Sequence, residues 1–384
     1  MLKYIKYGLS SSTKKIGVNY WRFFFNGVSS ESSRDQMFYI EFEMINPWLS
    51  PKDIVLGYSS RVTIKEEDLQ YALAGTESAK NLQTESILQP SYCVLRVGML
   101  GEKSKQICSY FPVKDVKFNP KTFEFEIGNK YFSSNKLSGF VNVTEKFHDD
   151  CPELMCDPGN ANWNISYEIL SESTSGLKND GNRWFPCGLK TEYSGKINFD
   201  GVDYYINPKT CFGYSDRYWG KALPSCWFHI SASNLSSIIS GKNMFNSNFA
   251  IQGIFEDKVS FLGNFEGLNI NLCQTNHKKY DSIWSCVQTP ESEEITENQL
   301  HWSVSLHNKT FVIDVDVYCK LTDLYNRKIE CPAGNRKVLS IVEGGNCLGE
   351  IRIYKKIGSD IEQLEYAKIE KALCQFGQEE NFES

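Results

Sequence analysis

The sequence predicts an all-β protein built as two tandem antiparallel β-barrels with a short helical insertion. Three observations carry that expectation. Apolar, β-branched and aromatic runs recur along the 384 residues at the short, regular spacing of sandwiches and barrels. Aromatic residues make up 14% of the chain, a load suited to wide, half-buried sheet surfaces and unlike that of a solvated chain. Asp200-Gly201 stands between two alternating runs, the strongest short-range hairpin signal in the sequence. A chain of this length exceeds one usual domain and buries roughly three quarters of its unfolded surface, so core size is not limiting.

Taken in order, residues 1–15 form a polar tail. "VNYWRFFFNGV" and "MFYIEFEMINPW", separated by "SSESSRD", read as a hairpin. In "FYIEFEM" apolar and acidic residues only partly separate by parity, so this strand is expected to be covered on both faces. Thr63 followed by Glu66 is a capping box ahead of "DLQYALA", and it marks a helix within an insertion at about 63–89. "SYCVLRVGML", "ICSYFPV", "FEFEIG", "LSGFVNVT" and "WNISYEIL" continue the strand series. The Ser, Gly, Asn and Asp dense stretch "SESTSGLKNDGN" (171–182) is the natural linker, giving a first barrel at 16–182 and a second at 183–377. The second series runs from "TEYSGKINF" to "LGEIRIYKK". "DIEQLEYAKIEKALCQFG" fits a helix about as well as a strand, and the acidic residues 378–384 are expected to be disordered.

Several function classes are excluded. The net charge is −6 and the 41 Lys and Arg are scattered, so no nucleic acid is expected as a partner. The thirteen cysteines are odd in number and no leader-like segment precedes them, which favours a reducing, cytoplasmic setting. No metal is expected: there is no CxxC, and Cys151 and Cys156 have only His148 nearby. No apolar run approaches the roughly 20 residues of a membrane span. GxSxG, GxGxxG and GxxxxGK[ST] are all missing, which removes hydrolase elbows and phosphate-binding loops.

What remains is "GYSDRYWGKALPSCWFHISASNL", residues 213–235. A carboxyl walled by aromatics loses hydration, its pKa rises, and it can stay protonated near neutral pH. Asp216 is the expected proton donor on that argument, with the faces of Tyr214, Trp219 and Trp227 available to a developing carbocation. The bland alternative has Trp219 and Trp227 plugging a barrel end and Asp216 paired at the surface with Arg217, Arg183 or Lys221. His229 shares a strand face with Trp227 and is more often hydrogen-bonded scaffold than proton carrier. Glu41 and Glu43 share a face by the same period. Trp21 and Arg22 lie on a strand whose Arg either faces a carboxylate or snorkels to the surface.

These residues resemble the tocopherol cyclase-like family, related to the lipocalin-like carotenoid hydratase and AttH group, and are similar to uncharacterised bacterial members of it. "NYWRFFF" matches a Gly-Trp-Tyr-Phe type strand at Trp21, with Tyr20 in place of the glycine. The later motif matches at Tyr214, Asp216, Trp219, Gly220, Pro224, Trp227 and Asn234, and His229 stands where a second tryptophan often falls. The resemblance implies two lipocalin-like barrels and no cofactor. It implies a hydrophobic small-molecule partner such as a prenyl quinol, terpenoid or polyene, taken up by an interior pocket with a transient membrane contact allowed. Asp216 would be the proton donor, Tyr214 its hydrogen-bond partner, and Trp219 and Trp227 the cation-stabilising wall. Trp21, Glu41, His229 and Asn234 would line the substrate site. The expected function is therefore a cyclase or hydratase acting by alkene protonation; the alternative is a lipid- or isoprenoid-binding protein without turnover.

Overall fold

The computed structural model describes residues 17–57, 89–119, 122–173, 176–179, 181–254, 258–273, 280–289, 298–334 and 337–381. The expected helix within 63–89 and the tail at 1–15 lie outside the described residues. The all-β expectation holds: two antiparallel sheets, one of 14 strands and one of 10 among the described residues, each curl into a half-barrel. Among the described residues no helix is long and apolar enough to cross a membrane.

The first sheet runs from the strand Val18–Ser29 to the strand Gly213–Gly220, and the second from Cys226–Ser237 to Asp360–Asn381. The change of sheet therefore falls at 221–225, whereas the linker composition points to 182. Strands Asn182–Gly188, Lys190–Phe199, Val202–Ile206 and Gly213–Gly220 pair within the first sheet. A turn-rich composition marks a chain reversal; which sheet the next strand joins is decided by its partner. Here Asn182–Gly188 takes Gly213–Gly220 as its partner, with Trp184 opposite Tyr218, and Lys190–Phe199 takes Gly159–Ser171, with Ile197 opposite Trp163 and Tyr193 opposite Tyr167. The Asp200-Gly201 hairpin forms as predicted, with φ of 49° and 85° supplying the left-handed pair that a tight turn of the right twist requires.

Val18–Ser29 lies between Gly213–Gly220 and Asp35–Ile45. Its alternation buries both faces, for different reasons. Trp21, Phe23 and Phe25 point into the first barrel, while Tyr20 and Phe24 point at the second sheet. In Asp35–Ile45 a matching alternation sends Phe38, Ile40 and Phe42 inward and Met37 and Tyr39 outward. Three apolar cores result: one inside each half-barrel, and a third layer between the sheets that includes Tyr20, Phe24, Tyr39, Trp184, Tyr214, Trp227, Leu339 and Ile341. Each large side chain buried in that layer stabilises the contact by roughly 1.5–3 kcal/mol as an upper bound. The two sheets are thus packed face to face through apolar surface that neither could leave exposed.

The segment that fitted helix or strand is a 22-residue strand, Asp360–Asn381, paired with Lys337–Ile357 on one side and Cys226–Ser237 on the other. The expectation of a disordered 378–384 is corrected over its first four residues. Gln378 lies opposite both Ser340 and Cys226, Glu379 donates its N–H to the Ser225 carbonyl at 2.7 Å, and Lys337 Nζ reaches Glu379 Oε1 at 2.6 Å. Acidic composition signals disorder only when no backbone partner and no lysine are waiting for it. Amide hydrogen exchange checks this: Glu379 is expected to be protected like the rest of its strand, and exchange at the rate of a free chain would contradict the pairing.

Candidate functional site

The layer between the sheets contains a ladder of buried charge. On the first sheet Asp216, Arg22, Glu41 and Arg96 stand directly opposite one another on four adjacent strands, alternating in sign. On the second sheet Gln252, His229, Gln375, Glu343 and Tyr325 form the facing row. Strand pairing places each of these side chains on the face toward the other sheet, because opposite residues share a side of the sheet. Arg22 Nη1 crosses to Gln375 Oε1 at 2.8 Å. Arg327, from Leu324–Glu330, forks onto both oxygens of Glu41 at 2.7 Å each while its Nε holds Glu343 Oε1 at 2.7 Å. Gln375 Nε2 closes the ring on Glu343 Oε2 at 2.6 Å, and Arg96 takes Glu43 Oε2 at 2.6 Å. Gly98 makes one contact feasible: a Cβ there would sit 2.0 Å from the ring of Tyr39, which lies across it with Arg327 4.7 Å from its centroid.

Asp216 is 1% exposed. Its Oδ1 accepts from Arg22 Nε at 2.7 Å; its Oδ2 accepts from Arg22 Nη2, from Trp184 Nε1 at 2.8 Å and from the Tyr214 hydroxyl at 3.0 Å. Burial alone would raise its pKa, as the sequence reading expects. The Arg22 charge and hydrogen bonds outweigh burial and leave the carboxyl below its ordinary value. The expectation of a protonated Asp216 is therefore corrected: it is a carboxylate with four donors on it. It is not paired at the surface either, since the partner is Arg22 and not Arg217, Arg183 or Lys221. Burial and then the Asp216 charge push Tyr214 well up, so its phenol keeps the proton that it donates. Burial and Arg22 push His229 down to about 3, so its imidazole is neutral. Its Nε2 lies 3.1 Å from Ser231 Oγ and its ring packs 5.1 Å from that of Tyr214.

The structure separates the other predicted residues into three places. Trp227, with Tyr20 and Phe24, surrounds Arg22, whose Cζ lies 5.6–5.7 Å from the three ring centroids. Trp21 and Trp219 lie on the opposite side of the sheet, with Arg217 Cζ 4.7 Å from each ring. Asn234 is remote from both and lines an open groove with Lys190, Met244 and Glu370. The aromatic faces assigned to a carbocation are therefore next to resident guanidinium groups, and a second cation there would meet like charge in a low-dielectric setting. Trp184, Gln375, Arg327 and Glu343 belong to the site and were missed. Trp184 in "NRWFPC" sits just past the supposed linker, so assigning its strand to the first sheet would have found it. The other three are brought in by long-range pairing that no local pattern reports.

Two spaces adjoin this framework. One, between the sheets, is lined by Tyr20, Arg22, Trp184, Trp227, Gln252 and Leu339 and measures only about 30 Å³, room for one or two waters. The other opens at the rim of the first half-barrel and measures about 230 Å³. Its inner wall is buried and aromatic (Trp21, Phe23, Phe123, Tyr167) together with Ser215 and Arg217; its outer edge is exposed and carries Ser134, Asn135, Glu168 and Glu172. Cys187 lines it as well, and burial pushes that thiol up to about 12, far from a reactive thiolate.

No protein-family model and no curated protein sequence matches the chain. Similar solved structures include kievitone hydratase from Nectria haematococca, 11% identical with a TM-score of 0.44, covering 96% of this chain and 91% of that one. An AttH candidate from Nitrosomonas europaea is 10% identical with a TM-score of 0.37, covering 96% of each chain. At these scores and identities neither likeness transfers chemistry to this chain.

Truncating Asp216 to Ala leaves Arg22 buried without its counter-charge, so denaturant unfolding should show a loss of about 3–5 kcal/mol at neutral pH. Because the folded carboxyl titrates below its unfolded value near 4, its contribution is present above that pH and is lost as pH falls through the folded value. The gap between wild type and Asp216→Ala should therefore narrow in acid; a gap that widens there would contradict the assignment.

Proposed function

We propose that the chain binds a compact, mainly apolar small molecule in the rim pocket of the first half-barrel. One observation carries this reading: a cavity of about 230 Å³ whose buried wall combines four aromatic side chains with a guanidinium. Binding sites have this mixture, a broad apolar lining with few polar groups that fix orientation. The volume lies below the ~300–1,000 Å³ of sites for drug-sized ligands, which favours a small ring or short chain over a polyene or a long prenyl tail. The inter-sheet space is smaller by nearly an order of magnitude and is better suited to water.

Ring closure of a prenyl quinol by acid from Asp216, the mechanism the motif resemblance implies, finds no support in the site. The group is ionised, its oxygens are engaged, and a cation already sits among Tyr20, Phe24 and Trp227. A catalytic second reading uses the rim pocket instead: water addition to, or closure of, an alkene, with acid from Glu168 or Glu172. Both residues stand at the pocket's open side, which is the observation that favours it. The hydratase among the similar structures is in keeping with that reaction class but adds no weight to it.

N-phenyl-1-naphthylamine, a neutral apolar fluorophore, tests the binding reading. Its emission should rise on mixing with the protein, and Ser134→Trp, which fills the exposed mouth without touching a core, should weaken binding about tenfold or more. Unchanged binding in that variant would remove the pocket from consideration. Incubation with mixed alkene and quinol lipids, followed by mass spectrometry, separates the two readings. Conversion abolished by Glu168→Gln or Glu172→Gln supports catalysis, and retention without conversion supports binding alone.

A further inference from the structure

Strand Lys105–Phe111 lies at an edge of the first sheet, paired with Tyr92–Leu100 on one side and with no strand on the other among the described residues. An open edge of unpaired backbone groups invites association with other chains, so folded sheets cover it. Here the cover is the segment 154–157. Asp157 gives its N–H to the Gln106 carbonyl and takes the Gln106 N–H on Oδ2, both at 2.7 Å, and the Tyr110 hydroxyl donates to the Leu154 carbonyl at 2.5 Å. The backbone N–H of Cys108, two residues along the same edge, falls to the sulfur of Cys156, which the Cys108 thiol also meets. Two features hold Cys156 there. Met155 takes left-handed backbone with φ of 48°, turning the chain back onto the edge, and His148 Nδ1 donates to the Cys156 carbonyl at 2.8 Å.

The pair is chemically asymmetric. The hydrogen bond from the Cys108 side chain outweighs burial and holds the Cys156 thiol below its ordinary value, whereas burial pushes Cys108 well up. Burial also pushes up Cys93 and Cys331. Thiolate character and access together decide which cysteine a peroxide oxidises. Cys156 is 8% exposed, between half-buried Met155 and Asp157, and Cys108 beneath it is 3% exposed. We propose that Cys156 and Cys108 are a redox-modification site, at which a small hydroperoxide converts the two thiols into a disulfide that fastens segment 154–157 over the strand edge. The site is independent of the rim pocket. In the first step the Cys156 thiolate attacks one peroxide oxygen: an S–O bond forms, the O–O bond breaks, and the departing oxyanion takes up a proton. In the second the Cys108 thiol attacks the sulfenic sulfur: the S–S bond forms, the S–O bond breaks, and the Cys108 proton leaves with the hydroxide as water. The two sulfurs lose two electrons and the hydroperoxide gains them.

Hydrogen peroxide, added to the full chain in equimolar amount, tests this. Free thiols are then alkylated and the chain is digested without reductant for mass spectrometry. The first product should be the peptide pair joined through Cys108 and Cys156, short by two hydrogens and restored by dithiothreitol. In Cys108→Ser, oxidation should stop at a Cys156 sulfenic acid that dimedone traps. In Cys156→Ser, oxidation of Cys108 should slow about tenfold or more. The wild-type map needs no substitution, so it keeps the test decisive if either variant fails to fold. A first disulfide between Cys156 and Cys151, a Cys156 oxidised without pairing in the wild type, or a Cys156 still reduced when other thiols have been consumed would each overturn the proposal.

Discussion

The contact between the two sheets depends on one constraint: the charges buried in the layer between them must each find a partner, and Arg327 with Glu41 and Arg22 with Gln375 find theirs across it. Arg22, Arg327, Glu41, Glu343 and Asp216 are all at most 4% exposed. An uncompensated charge at such depth costs several kcal/mol, so any sliding of one sheet over the other that breaks a pair is strongly opposed. A slip by one residue would also turn the row Asp216, Arg22, Glu41, Arg96 into the first barrel and bring Ser215, Trp21, Ile40 or Phe42, and Leu95 or Val97 to face the second sheet. Apolar burial brings the sheets together; the ladder decides where they stop. Arg327 is central to it, since one side chain joins a carboxylate from each sheet.

Much of the architecture was legible in the sequence because it is local. The alternation of "NYWRFFF" and "FYIEFEM", too apolar for a sheet with one wet face, reported a strand covered on both sides, and Asp200-Gly201 reported its own turn. Arg22 facing a carboxylate was one of two readings of that strand, and the structure selects it. Long-range pairing was not legible. Composition at 171–182 reads the same whether the chain turns within a sheet or leaves it, so four strands went to the wrong sheet, and Trp184 with them. The segment 360–377 carries residues that suit helix and strand alike; its two partner strands decide the matter.

The site was legible in its residues and misread in its electrostatics. Sequence proximity brings Tyr214, Asp216 and Trp219 together, yet strand parity sends Tyr214 and Asp216 to the inter-sheet layer and Trp219 to the barrel side. An acid among aromatics suggests a raised pKa only while no cation is near, and Arg22 lies 194 residues away in sequence. Once that pair forms, the acid becomes an anchor and the aromatics become packing for guanidinium groups. Beside this strand the larger open volume lies on the barrel side, where the strand presents Ser215 and Arg217.

The central claim is that Asp216 serves the structure as a carboxylate and does not supply a proton. Carbon-13 NMR of the labelled aspartate γ-carboxyl, assigned by difference with Asp216→Asn, reads its charge directly. The account predicts that the Asp216 resonance keeps its carboxylate position from neutral pH down past the ordinary aspartate value near 4, and shifts only where the fold itself begins to fail. A protonated carboxyl at neutral pH, or a titration above the ordinary value, would contradict it and return Asp216 to the role of acid.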